Sequence, residues 1–310
     1  MLSDLISEIR RACRPHGVTT DDNLRLTPRQ RQLACRNGLL ERRYPGVLVD
    51  PTYPRTPLQD LVAAIAAGGY LAAAWGRSSG ALFKLVDEHP PTPEIVVPRR
   101  RHGRVPGAVV HRSSALSWDQ VMRWHGVLTV KPLLTAIDLG VVLSPMDLAE
   151  VYIRARQLKL FEPRSVEAEL NRVARPGRTG VRTSREALGL VMIGDRPADS
   201  VLELRFHHGP GQLLPAYEYQ WPVEVRAHKF RIDFAYPAVK LAIEVKGYET
   251  RTTRRSFDDE VLRERLLVVD GWTVVPATWT HVRFDPMAVA SDVLATLGAL
   301  RYVSGRSMRQ

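Results

Sequence analysis

The sequence predicts an α/β chain, α+β overall, built in three parts over 310 residues. Three observations predict it. Proline- and arginine-rich seams interrupt the chain at 50–57 and 174–180. Helical periodicity marks the start of the chain and residues 147–173, while short apolar, partly β-branched runs such as 94–98 and 241–245 alternate with helical stretches elsewhere. A hydrophobic content of 45% and a charged content of 25% are those of a globular protein, long enough for two or three cores. The expected domains are residues 1–55, 56–180 and 190–300.

Composition also excludes classes. The longest apolar stretch, 61–75, is broken by Gly68-Gly69 and falls short of the ~18 apolar residues of a membrane span, so no membrane partner is expected. Met1 to Asp4 lack the basic-then-apolar start of a secretory signal. Cys13 and Cys35 are the only cysteines, which excludes a disulfide scaffold and an all-cysteine zinc site and fits a reducing cytoplasm. Lys+Arg 44 against Asp+Glu 33 gives +11, a balance that favours a polyanionic partner such as nucleic acid. Lysine occurs six times, so an arginine-rich coding bias explains the excess equally well, and each lysine becomes more informative.

Residues 1–50 read helix, helix, helix, hairpin. Leu5, Ile6, Ile9 and Ala12-Cys13 recur at helical spacing, residues 17–22 form a turn, and Thr27-Pro28 is a strong helix start matched by the stop at Gly38. That helix carries Arg29, Gln30, Arg31, Gln32, Arg36 and Asn37 around Leu33. Residues 39–43 and 47–49 then read as strands joined by Tyr44-Pro45-Gly46. This is the order of a winged helix-turn-helix. In it Arg29, Gln30, Arg31 and Arg36 would meet base edges, and Arg42 and Arg43 would meet phosphate. A helix with a solvated basic face is the competing reading.

The middle region offers two strands, 94–98 and 108–111, separated by Arg99-Arg100-Arg101-His102-Gly103-Arg104, a basic hairpin loop that either grips phosphate or is merely solvated. Residues 147–173 read as structural amphipathic helices. The first half of the chain resembles the AbiEi-type antitoxin and transcriptional-regulator family. The likeness runs through Gly38-Leu39-Leu40-Glu41-Arg42-Arg43-Tyr44-Pro45-Gly46-Val47, through residues 72–82 with Trp75-Gly76-Arg77-Ser78-Ser79-Gly80, through Pro106-Gly107-Ala108-Val109-Val110-His111-Arg112, and through residues 126–139 with Lys131-Pro132-Leu133-Leu134 and Asp138. It implies a DNA-binding wing and a mixed α/β middle domain, with no catalytic residues to transfer. A cognate toxin and a homodimer stay open as partners.

The last third changes character. Its predicted order is α-β-β-β-α-β-α: a helix from 200, strands 218–225, 230–235 and 241–245, a helix 256–269, a strand 272–275 and a closing helix 286–297. Glu244 and Lys246 are two apart on one strand and share a face. If the hairpin turns at Ala238-Val239, position 237 pairs with 240, and counting back sets Asp233 opposite Glu244. Two carboxylates and a lysine then converge at one end of a sheet. Such a pair repels unless a cation lies between, and Mg²⁺ (or Mn²⁺) suits it, with the Val245 carbonyl as a further ligand. Lys246 would orient or deprotonate the water that attacks phosphorus.

This arrangement is the PD-(D/E)XK nuclease pattern. Residues 197–282 resemble, more narrowly, a family close to the very-short-patch-repair endonucleases. The likeness rests on Glu203, Gln220, Arg231-Ile232-Asp233-Phe234-Ala235, Ile243-Glu244-Val245-Lys246-Gly247, Arg263, Leu267 and Gly271-Trp272-Thr273-Val274-Val275. It implies a restriction-endonuclease-like domain in which Asp233 and Glu244 bind metal, Lys246 is the catalytic lysine and Glu203 is an outer metal or water ligand. Ile232 stands where the motif's name has proline, and Pro276 where relatives often carry arginine. Glu203 also completes a Ser200-x-x-Glu203 capping box, and Arg263 either contacts DNA phosphate or pairs with Glu260 or Asp259. The expected activity is metal-dependent hydrolysis of double-stranded DNA; the alternative is a non-catalytic DNA-binding regulator.

Overall fold

The computed structural model describes residues 2–101, 104–173, 180–247 and 254–307. The seam at 174–179 and His102-Gly103 of the basic segment lie outside the described residues. The chain divides into two compact units, Met1–Leu188 and Gly189–Gln310. It is a mixed α and β protein throughout.

The first unit begins with α1 (Leu2–Ala12), β1 (Val18–Thr20), α2 (Pro28–Arg36), β2 (Glu41–Tyr44) and β3 (Val47–Val49). The apolar stripe of α1, Leu5, Ile9 and then Cys13, packs with Leu24, Ala34, Leu40 and Leu48. Thr27 starts α2 as expected: its side chain accepts from the Gln30 N–H, the Gln30 side chain accepts from the Thr27 N–H at 2.8 Å, and Pro28 fills the first turn. The β2–β3 hairpin turns through Pro45-Gly46, with Gly46 at φ +73°, a left-handed conformation glycine adopts without strain. The order is helix, strand, helix, hairpin rather than three helices and a hairpin. Val18-Thr19-Thr20 is β-branched and pairs antiparallel with β3, giving a three-stranded sheet β1-β3-β2.

The unit continues with α3 (Pro57–Gly68), β4 (Ala73–Ala74), α4 (Gly76–Leu82), β5 (Glu94–Pro98), β6 (Val109–Ser113), β7 (Val121–Trp124), β8 (Val127–Val130), α5 (Pro132–Leu139), α6 (Pro145–Gln157), α7 (Pro163–Val173) and α8 (Val181–Val191). One core cluster joins Val18, Tyr44, Val47 and Val49 to Leu61, Ala64, Ile95 and Val97, so the expected seam near residue 55 lies inside a single compact unit. The five-stranded sheet has the order β6-β5-β4-β8-β7. Strands β5 and β6 pair in parallel, Glu94 beside Val109 through Pro98 beside Ser113. The basic segment between them is therefore a crossover connection, not a hairpin loop: parallel neighbours require the chain to return to the starting end.

The second unit contains the short hairpin β9 (Met192–Ile193) and β10 (Arg196–Pro197), then α9 (Val201–His208), β11 (Glu218–Val225), β12 (His228–Tyr236), β13 (Leu241–Lys246), α10 (Arg254–Val269), β14 (Thr273–Thr278), α11 (Trp279–Phe284) and α12 (Pro286–Ser307). The sheet order is β11-β12-β13-β14. The first three strands are antiparallel, and β14 returns parallel to β13 after α10. Ala235 and Ala242, partners across β12 and β13, share a core with Ile232, Leu267 and Trp272; the small side chains let α10 close on the sheet. Pro276 sits on the edge strand, where a missing N–H is tolerated. The single closing helix expected from 286 is preceded by α11.

Candidate active site

The site grows from the turn between β12 and β13. Pro237 to Val239 make a short 3₁₀ turn, and Lys240 takes the left-handed conformation (φ 51°) that feeds the chain back. Tyr236 then pairs with Leu241, Ala235 with Ala242 and Phe234 with Ile243. One further step of this register sets Asp233 across from Glu244, as the sequence count predicts. There the Asp233 side chain replaces the backbone ladder: its Oδ2 accepts the Val245 N–H at 3.0 Å. On the other flank, β14 places Pro276 beside Glu244 and Thr278 beside Lys246.

Glu244 is buried and Asp233 largely so, with 10% and 14% of their side chains exposed. Burial is the main force holding both carboxyls above the ordinary carboxylate range. The charge of Glu203 adds to it at Asp233, and that of Asp233 adds to it at Glu244. The opposing force is Arg263. Its Nη2 lies 2.8 and 2.9 Å from the two Glu244 oxygens and 3.5 Å from Asp233 Oδ1. The same guanidinium donates to the Arg231 carbonyl and lies 5.8 Å from the Phe230 ring centre. Its buried Nε has no hydrogen-bond partner among the described residues.

Lys246 turns toward the same helix as Glu244. Its Nζ is 2.6 Å from Glu264 and 3.4 Å from Glu260, so one face of α10 supplies Glu260, Arg263 and Glu264 in a single turn. Among the described residues it makes no ion pair with Glu244 or Asp233. Ser200 caps the helix: its Oγ accepts the Glu203 N–H at 3.1 Å and donates to the Glu203 carboxylate at 2.8 Å, so Glu203 binds the cap's hydroxyl rather than the backbone N–H that a capping box would give it. Its other oxygen is no less occupied, accepting from Tyr219 at 2.5 Å and Gln220 at 3.0 Å. Gln220 is buried and holds φ at +53°, an uncommon conformation for a non-glycine residue, in the β11 position that register sets against Asp233.

Sequence reasoning brought Asp233, Glu244 and Lys246 to one end of one sheet, and the structure keeps them there. It missed the bridging role of Arg263, expected on DNA phosphate or beside Glu260 or Asp259. It also missed Tyr219, Glu260 and Glu264. The i, i+3, i+4 spacing of Glu260, Arg263 and Glu264 above the apolar Leu267 is the signal that pointed to a charged face turned toward the sheet. An open cleft of about 410 Å³ lies on the β11–β12 hairpin; Phe230 and Arg231 line it, and Asp233 and Glu244 do not.

The donor chemistry suits a hard divalent cation: two carboxylates, the Val245 carbonyl, and more buried negative charge than one guanidinium offsets. Among the described residues no three His, Cys, Asp or Glu side chains come together as a metal-holding group; Arg263 stands between Asp233 and Glu244, and Glu203 is engaged by its own donors.

In the first unit the expected DNA-facing residues separate into two sets. Gln30 is committed to the cap, Arg31 donates to the Asp21 carbonyl at 2.7 Å, and Arg43 pairs with Asp60 at 2.6 Å. Arg29, Gln32 and Arg36 are exposed on α2 and make no ion pair among the described residues; Arg42, half-exposed, lies 3.6 Å from Asp21.

Fold and site together define an α+β protein with a buried carboxylate pair at the end of a mixed four-stranded sheet. No family model matches the chain. Over 288 residues it is 28% identical to the uncharacterized protein Rv2248 of Mycobacterium tuberculosis strain H37Rv, covering 89% of this chain and 99% of that one. Uncharacterized protein MT2308 of strain CDC 1551 gives the same figures. The crystal structure of RV2827C protein from Mycobacterium tuberculosis is similar over 64% of this chain and 85% of that one, with 16% identity and a TM-score of 0.40. No helix among the described residues is long and apolar enough to cross a membrane.

Proposed function

We propose that the chain is a cytoplasmic, DNA-binding, magnesium-dependent endonuclease that hydrolyses phosphodiester bonds of double-stranded DNA. One observation carries the reading: Asp233 and Glu244 face each other across a hairpin, buried, with a single guanidinium between them. Apolar residues of similar size serve a purely structural sheet at least as well as a buried charged cluster, so the pair points to chemistry.

Asp233, Glu244 and the Val245 carbonyl are the groups that would hold Mg²⁺ or Mn²⁺. Such an ion, when bound, supplies the positive charge that neutralises a scissile phosphate and acidifies water. Glu203, fixed by Ser200, Tyr219 and Gln220, keeps the site negative. Lys246, ion-paired with Glu260 and Glu264, serves as an ammonium. An ammonium has no lone pair to accept a proton, so Lys246 orients the attacking water or a phosphate oxygen and does not deprotonate it. In the first unit Arg29, Gln32 and Arg36 of α2, with Arg42 of β2, are the residues left available for duplex.

A second reading is favoured by Arg263, which already offsets part of the charge of the pair. On that reading the chain is a non-catalytic DNA-binding regulator of the antitoxin type, its nuclease-like sheet tied by an ion pair. Incubating purified protein with plasmid and with RNA in Mg²⁺, Mn²⁺ or EDTA separates the two. Plasmid cleavage only with metal supports the endonuclease. A gel shift indifferent to metal, with no product, supports the regulator; cleavage of RNA alone moves the substrate class.

A further inference from the structure

We infer that Arg263 is a displaceable internal cation: it holds Asp233 and Glu244 together while no divalent ion is bound, and nucleic-acid phosphate draws it away so that the ion can enter. The inference rests on the endonuclease reading and adds a regulation to it, a coupling of metal loading to the presence of substrate.

Four observations support it. The Arg263 Nη2 reaches both Glu244 oxygens and Asp233 Oδ1, the same oxygens that would hold the ion, so guanidinium and ion compete for them. Outside the pair the guanidinium has one hydrogen-bond acceptor, the Arg231 carbonyl, and lies over the Phe230 ring, while its Nε lacks a hydrogen-bond partner among the described residues. About a third of its side chain is exposed (32%), so it stands at the rim of the site, where an incoming phosphate can meet it. The neighbouring cation, Lys246 of β13, is held instead by two glutamates of α10, Glu260 and Glu264, and makes no ion pair with Asp233 or Glu244 among the described residues.

The chemistry of exchange is favourable on both sides. Arginine binds phosphate through the same forked geometry it uses for carboxylate, so leaving the pair for a phosphodiester replaces one charge-assisted contact with another. The carboxylates, relieved of their guanidinium, then carry enough uncompensated charge to require a divalent ion. By linkage, phosphate bound at Arg263 raises the metal affinity of the pair by the same factor by which bound metal raises phosphate affinity.

Titration of the full chain with Mn²⁺, followed by calorimetry or by the electron paramagnetic resonance of free Mn²⁺, tests this with and without a phosphorothioate-blocked DNA duplex. Without DNA, R263Q is expected to bind Mn²⁺ about tenfold tighter than wild type or more. Duplex should tighten Mn²⁺ binding to wild type several-fold and leave R263Q nearly unchanged. In EDTA R263Q should melt below wild type and regain the difference with Mn²⁺. If R263Q does not fold, Arg263→Lys serves, since a point charge holds two carboxylates less firmly than a fork; unchanged Mn²⁺ affinity in it overturns the inference. Equal Mn²⁺ affinity of wild type and R263Q, or equal tightening by duplex, overturns the inference and leaves the endonuclease reading standing. Absence of Mn²⁺ binding in wild type, R263Q and R263K alike, with or without duplex, removes the endonuclease reading and the inference with it.

Discussion

Each unit buries a cluster of three polar side chains, and the two clusters are built on opposite principles. In the first unit Ser79, Thr129 and Thr135 have no exposed surface. Ser79 Oγ lies 2.7 Å from each threonine hydroxyl, and Thr135 also donates to the Val130 carbonyl at 3.1 Å. Hydroxyls both give and accept, so three of them, with the Val130 carbonyl as a further acceptor, close a neutral network. In the second unit Glu203, Asp233 and Glu244 only accept when ionised. Glu203 is satisfied by Ser200, Tyr219 and Gln220, but Asp233 and Glu244 share one guanidinium and remain hard to ionise. A closed neutral network fastens β8 to the helices beside it. An excess of buried acceptors and charge marks the place where the fold gives up stability for chemistry.

The comparison breaks first at the carboxylates. Asp233→Asn and Glu244→Gln should each lower Mg²⁺-dependent cleavage by about a thousandfold, the scale of losing a group essential to catalysis. Glu244→Gln should at the same time melt higher than wild type near pH 8 in EDTA, because it removes a buried charge opposed by its neighbour. Activity lost without a gain in stability would show the pair already well compensated.

The neutral cluster should respond in the opposite way. Ser79→Ala leaves two buried hydroxyls short of a partner and should cost about 1–3 kcal/mol of stability. Cleavage per folded molecule should not change. Calorimetric melting beside a plasmid assay separates the two effects.

Acidity sharpens the contrast further. The folded second unit raises both carboxyls of the pair, so the folded state binds protons more tightly than the unfolded chain. The pair's own contribution to stability should therefore be full below about pH 4, where both states are protonated, and be lost as pH rises through neutrality. D233N/E244Q should flatten that dependence, and the hydroxyl cluster should contribute none. Denaturant melts from pH 5 to pH 8 in EDTA read this directly.

The smallest effects are expected on α2. Arg29→Ala and Arg36→Ala should each weaken duplex binding a few-fold and make the log–log salt slope shallower by about one contact. Arg31→Ala and Arg43→Ala, whose side chains already hold Asp21 and Asp60, should change the melt more than the slope.

What the sequence made legible was whatever depends on counting along one strand or one turn. The Thr27-Pro28 start and the Asp233–Glu244 register follow from local rules, because a hairpin turn fixes every later pairing. The chain from Gly17 to Asp22 was misread because Val18-Thr19-Thr20 becomes a strand only when β3 is there to pair with it. The parallel pairing of β5 and β6 was hidden for the same reason: a short basic connection between two apolar runs looks alike in a hairpin and in a crossover. Within the site, the carboxylates were legible and their cation was not. Arg263 lies nineteen residues beyond Glu244 on another element, and the only local sign that separates it from Arg265 is its helical spacing from Glu260 and Leu267.

The most direct test of the central claim is the rate at which supercoiled plasmid is opened in saturating Mg²⁺ by wild type, Asp233→Ala and Glu244→Ala, each first shown by gel shift to bind DNA equally. The account predicts cleavage by wild type, none by either variant, and none by any of them in EDTA. Undiminished cleavage by both variants would contradict it.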